Sequence, residues 1–110
     1  MNIGHNKING LIERLLLKTT ENAVEWEIMA TSSRFLTSFA GYSIIISEEE
    51  PDYFLTIMDE FDELIERISD NDLREYNDDS YELMRSLYSL ARRNAKGVDK
   101  ALDDILNSLG

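Results

Sequence analysis

The chain has 110 residues, with 22 Asp and Glu against 11 Lys and Arg, one His and no Cys, and a formal net charge of -11. Its length is that of one domain and its 43% of hydrophobic residues is enough for one core, which excludes a two-domain layout and wholesale disorder. A chain without Cys has no disulfide scaffold, thiolate nucleophile or Cys-ligated metal, and an acidic excess of this size repels nucleic-acid phosphates and anionic lipid.

Residues 1–10 are polar and lack the basic start and apolar run of a secretory signal. The longest apolar runs, Leu15–Leu17 and Ile44–Ile46, fall far short of the roughly 20 residues that span a bilayer. The expectation is a cytoplasmic protein with no membrane partner. Ile8, Leu11, Ile12, Leu15 and Leu16 recur at the spacing of one helical face, predicting a helix over about 5–18. The period then changes to two. Val24, Trp26 and Ile28 alternate with Glu25 and Glu27, and after the polar turn Thr31-Ser32-Ser33 a second alternation sets Phe35, Thr37 and Phe39 on one side. Gly41 offers a tight turn or bulge into a third strand, Tyr42 to Ser47.

Glu48-Glu49-Glu50-Pro51-Asp52 reads as a solvated loop, and Tyr53 to Met58 as a fourth strand. Residues 59–69 are ambiguous, because Phe61, Leu64, Ile65 and Ile68 have helical spacing while Asp59-Glu60-Phe61-Asp62 suits a hairpin turn into a fifth strand. From Ser69 to Asp79 only Leu73 and Tyr76 are apolar, which predicts a flexible connection at about 69–80. Ser80 is placed to cap a helix with a stripe of Tyr81, Met84, Leu87, Tyr88 and Ala91, and Gly97 to end it. Asp99 is placed to cap a last helix lined on one side by Val98, Leu102, Ile105, Leu106 and Leu109. The predicted class is α+β in a single domain over 1–110: an N-terminal helix, an antiparallel meander of four or five strands, and a C-terminal helix pair packed on one sheet face.

The run from Leu87-Tyr88-Ser89-Leu90-Ala91-Arg92-Arg93 to Gly97-Val98-Asp99, with the Trp26 strand and the Phe35-Leu36-Thr37-Ser38-Phe39 to Tyr42 stretch, resembles a group of small bacterial proteins of uncharacterised function. The likeness covers the chain from about residue 15 onward. It implies a turn followed by a strand at Phe61 to Ile65, although a Gly frequent there in the group is absent, and the 69–80 connection is longer than in the group. It implies no reaction, no cofactor and no binding residues.

His5 stands alone in a polar N-terminal segment, without the second His, Cys or nucleophile elbow that a hydrolytic device needs. Glu25 and Glu27 flank Trp26 as they would on a wet sheet face, and a reading of this face as a small-ligand or catalytic site stays open. Asp70-Asn71-Asp72 lacks the Gly and Glu of a calcium loop, since Glu75 and Tyr81 hold those positions. Trp26, Phe35, Phe39, Tyr42, Tyr53 and Tyr88 read as sheet and helix core, and Phe54 and Met58 as the opposite face, open to a partner or a second copy if helices cover one side only.

Charge distribution is the more informative feature. Residues 48–82 hold fifteen of the acidic side chains against Arg67 and Arg74, whereas the C-terminal helices are mildly basic. The expectation is a non-enzymatic interaction protein for a basic protein partner, through candidate residues Glu48, Glu49, Glu50, Asp52, Asp59, Glu60, Asp62, Asp70, Asp72, Asp78 and Asp79, with Arg92 and Arg93 as secondary candidates. A merely solubilising acidic surface and a structural subunit of a larger complex are the other readings.

Overall fold

A computed structural model describes residues 3–30 and 33–110, the first four as backbone only. The His5 side chain and the Thr31-Ser32 part of the first turn therefore lie outside the described residues. The elements in order are α1 (Ile3–Thr20), β1 (Glu27–Ile28), β2 (Arg34–Phe39), β3 (Tyr42–Glu49), β4 (Asp52–Met58), β5 (Leu64–Ser69), α2 (Asp70–Leu73), α3 (Ser80–Lys96) and α4 (Val98–Leu109). The strands form one antiparallel sheet in sequence order, so every neighbour in space is a neighbour in the chain. This is the α+β plan that the sequence predicts.

Period-two patterning sets which side chains of the sheet face the helices. The register Phe35↔Ile46↔Leu55↔Ile68 puts four apolar residues in one cross-strand row on the helix side, all buried, and Ile44 extends it. Helix α3 lays Met84, Leu87 and Ala91 onto this face, and α1, packed beside α3, adds Ile8, Ile12 and Leu15. Trp26 closes the core at the β1 edge, donating its indole N–H to Thr19 Oγ1 at 3.0 Å while its backbone N–H reaches Asn94 Oδ1 at 2.7 Å. Its strand is shorter than predicted: only Glu27 and Ile28 join the ladder, because the Trp26 backbone N–H is held by Asn94 of α3 rather than by β2.

Two other expectations change, and the ambiguity at 59–69 is resolved as the turn and fifth strand. Glu48 and Glu49 continue β3 and Asp52 opens β4, leaving Glu50-Pro51 as the turn of a tight hairpin; the carboxylates alternate off the ladder instead of breaking it. Residues 64–69 are a strand, since the Asp59 carboxylate accepts the Phe61 and Glu63 backbone N–H groups at 2.9 and 3.0 Å and turns the chain back. The 69–80 connection contains α2, closed by a reciprocal cap in which Ser69 Oγ accepts the Asp72 N–H and the Asp72 carboxylate accepts the Ser69 N–H, with Leu73 fully buried. The capping residues also shift by one or two positions. Asp79 precedes α3, Ser80 is buried inside its first turn, and Gly97, left-handed at φ 62°, both ends α3 and precedes α4, so Asp99 falls in the first turn.

The β2–β3 hairpin turns through Ala40 and Gly41, at φ 54° and 85°. A two-residue turn with both residues left-handed matches the twist of its strands, but at Ala40 the conformation forces a Cβ towards the following carbonyl. Ala40→Asn is expected to raise stability by about 1 kcal/mol, read by urea denaturation, because Asn tolerates this region.

Candidate functional site

The acidic candidates separate into two groups at opposite ends of the sheet. Glu48, Glu49, Glu50 and Asp52 flank the β3–β4 turn. At the same end β5 runs out into α2, bringing Asp70 and Asp72, and the start of α3 brings Asp78 and Asp79. Asp59, Glu60 and Asp62 form the β4–β5 turn at the far end of β4, a strand length or about 20 Å away. One acidic segment of sequence is thus two acidic ends of a fold, and the first is the larger.

Within that end the carboxylates divide by role. Asp70 is 6% exposed and accepts the Tyr53 backbone N–H at 2.7 Å, while its own carbonyl accepts the Ser80 hydroxyl at 2.8 Å. Asp72 is spent on the α2 cap. Glu49 pairs with Arg67 at 2.7 Å and approaches Arg34 at 3.9 Å, under an Arg67 guanidinium that also stacks over Phe54 at 4.2 Å. Phe54 is accordingly half-buried, as is Met58. Glu48 accepts the Tyr53 hydroxyl at 3.2 Å, and burial together with this carboxylate pushes the Tyr53 phenol up to about 12. Tyr88, 5.4 Å from both the Phe35 and Tyr53 rings, is also raised, first by burial and then by Glu48. Glu50, Asp52, Asp78 and Asp79 remain, with carboxylates that make no ion pair or hydrogen bond among the described residues; all but half-buried Asp52 are exposed.

The secondary candidates part company. Arg93 is tied to Asp99 at 2.8 Å across the α3–α4 joint, whereas Arg92 is exposed on α3 without an ion pair. Trp26 is 4% exposed, so its indole offers almost no surface to a ligand; the shallow cavity beside it, about 290 Å³, is lined by Glu25, Glu27 and β2 residues. Among the described residues no group of three or more His, Asp or Glu could hold a metal ion, and no helix is long and apolar enough to cross a membrane.

Two apolar features stand outside the predicted site. Phe39 and Tyr42, expected in the core, are 45% and 47% exposed and line a groove of about 350 Å³ with Leu11, Ile44, Ile57 and Ile65. Helix α4 packs on α3 but buries none of its residues, leaving Leu102, Ile105, Leu106 and Leu109 between 48% and 78% exposed. The radius of gyration, 14.9 Å, exceeds the roughly 13 Å of a compact chain of this length, as a projecting helix requires. The signal for both was present in the sequence: it holds one more apolar helical stripe than a single sheet face and two helices can cover.

Neither a protein-family model, nor a curated protein, nor a solved structure matches the chain.

Asp70→Ala would leave the buried Tyr53 N–H without an acceptor and is expected to lower stability by about 2 kcal/mol in a denaturant titration. The Tyr53 phenol is held protonated in the folded chain well above its usual value near 10. The unfolded chain therefore releases that proton first as pH rises, so stability is fully present below pH 10 and falls as pH climbs through the interval to about 12. Tyr53→Phe is expected to flatten this alkaline slope, measured as unfolding midpoint against pH.

Proposed function

We propose that the protein is a non-enzymatic interaction protein whose larger acidic end binds, and regulates or inhibits, a basic protein, as an antitoxin, an immunity protein or a phage-type mimic of DNA would. The observation that carries this reading is the set of unpartnered carboxylates of Glu50, Asp52, Asp78 and Asp79, brought together from two stretches of sequence by the Asp70 anchor. Charges already neutralised within a fold add little to recognition, whereas unpaired charges on one rigid end steer encounter and reject acidic competitors. Ser69, Asp70 and Asp72 hold that end in place with buried and half-buried hydrogen bonds, so binding needs little ordering of backbone. The resemblance of the Trp26 strand and the C-terminal helices to small bacterial proteins supports a bacterial or phage setting, with the cytoplasm as part of the same reading.

Capture of a basic partner from the native host, followed by titration calorimetry across a salt series, tests the proposal. Joint replacement Glu50→Gln, Asp52→Asn, Asp78→Asn and Asp79→Asn is expected to weaken binding about tenfold or more and to reduce its salt dependence. Removal of three charges at the far end, through Glu60→Gln, Asp62→Asn and Glu63→Gln, is expected to leave it nearly unchanged. Equal losses from both sets, or capture of no basic protein, would refute the assignment.

A further inference from the structure

Along β3 the side chains that face the helices pass from covered to bare: Ile46 is fully buried, Ile44 is 5% exposed and Tyr42 47%. Strand β2 repeats the gradient through Phe35, Thr37 and Phe39, at 0%, 6% and 45%. Helix α3 lies on this face against β1 to β4 and α1 packs beside α3, so the strip at Phe39 and Tyr42, bordered by Leu11 of α1, lies open. Its groove passes Leu11 and Phe39 into a second stretch of about 290 Å³ lined by Arg14, Lys18 and Val24. Together they make a slot across four strands, about 14 Å of sheet width plus the extension to Val24.

We propose that this slot receives α4 of a second copy of the chain, while α4 of the first fills the slot of the second. The twelve residues of α4 measure about 18 Å, the length of the slot, and its stripe of Leu102, Ile105, Leu106 and Leu109 supplies the apolar face that the slot lacks. Its own α4 does not reach, because only Gly97 separates α4 from α3 and α1 stands between α3 and the slot. Charge complements the fit. Arg14 lines the slot at the β1 side and makes no ion pair among the described residues, and Asp103, one turn before Leu106, makes none on α4. Helix α4 carries Asp99, Asp103 and Asp104 against Lys100; Asp99 is tied to Arg93 and Asp104 to Lys100, so Asp103 is the carboxylate left to meet Arg14. Helix α1 carries Lys7, Arg14 and Lys18 against Glu13, which makes this one of the few places where an acidic helix is attracted. A two-fold exchange of this kind is closed and self-complementary.

Sedimentation equilibrium of the full chain at high micromolar concentration tests the proposal, with the expected mass twice 12.7 kDa. Leu106→Asp and Ile65→Asp change residues already 64% and 53% exposed, so each variant keeps its far-ultraviolet circular dichroism, and each is expected to weaken dimerisation about tenfold or more. An equimolar mixture of the two restores one intact helix and slot contact, and is expected to associate more tightly than either variant alone. A monomeric wild-type chain, a dimer indifferent to Ile65→Asp, or a mixture no tighter than its components would overturn the assignment.

Discussion

The fold turns on one buried carboxylate. Tyr53 is the second residue of β4, and its N–H points towards β5 at the position where β5 has already given way to helix α2. A backbone donor buried there without an acceptor would cost as much as a lost hydrogen bond, and the ladder has no carbonyl to offer. Asp70 supplies the acceptor from its side chain, and through its carbonyl it holds the Ser80 hydroxyl at the start of α3. Strand, short helix and long helix thus meet at one residue. The direction in which α3 crosses the sheet, and with it which side chains Met84, Leu87 and Ala91 cover, follows from that junction.

Once α3 is fixed, space decides the rest of the helical layer. An eight-residue strand such as β3 is about 26 Å long, and a packed helix takes about 10 Å of it. The layer of α3 with α1 beside it therefore leaves the Tyr42 end bare. The left-handed Gly97 then turns the chain away from the sheet after α3, so α4 leaves with its apolar stripe uncovered. Bare strip and bare stripe are two results of the same geometry.

Much of this was legible in the sequence, and the failures are instructive. Alternation at Phe35 to Phe39 and Tyr42 to Ser47, the glycine at position 41 and the glycine at position 97 report local constraints, and they located the meander and the helix ends. The Asp-rich stretch from Ser69 misled because its composition is that of a loop, while its structural use rests on Asp70 meeting a backbone group 17 residues earlier, a contact that no local pattern encodes. Phe39 and Tyr42 misled for the opposite reason: their strand pattern gives the face correctly, but coverage depends on how far along the strand a helix sits. The acidic segment was found as a segment. Its division into spent and unpartnered carboxylates needed the partners, Arg67, Tyr53 and the α2 cap, to be in place.

Charge ties the two proposed surfaces together. Two chains of net charge -11 repel, so any association between them has to form where the acidic excess is least and leave the rest apart. The slot meets that condition at its β1 side, beside Arg14 and Lys18, and it lies at the opposite end of the strands from Glu50 and Asp52. A separation of about 20 Å is roughly twice the Debye length at physiological ionic strength, so the larger acidic ends of two exchanged chains feel little of one another. Self-association through α4 then leaves both of those ends free, and a basic partner with two equivalent sites would engage them with an advantage that neither end has alone. The negative charge that opposes crowding of the chains is, on this geometry, what keeps the two surfaces from competing.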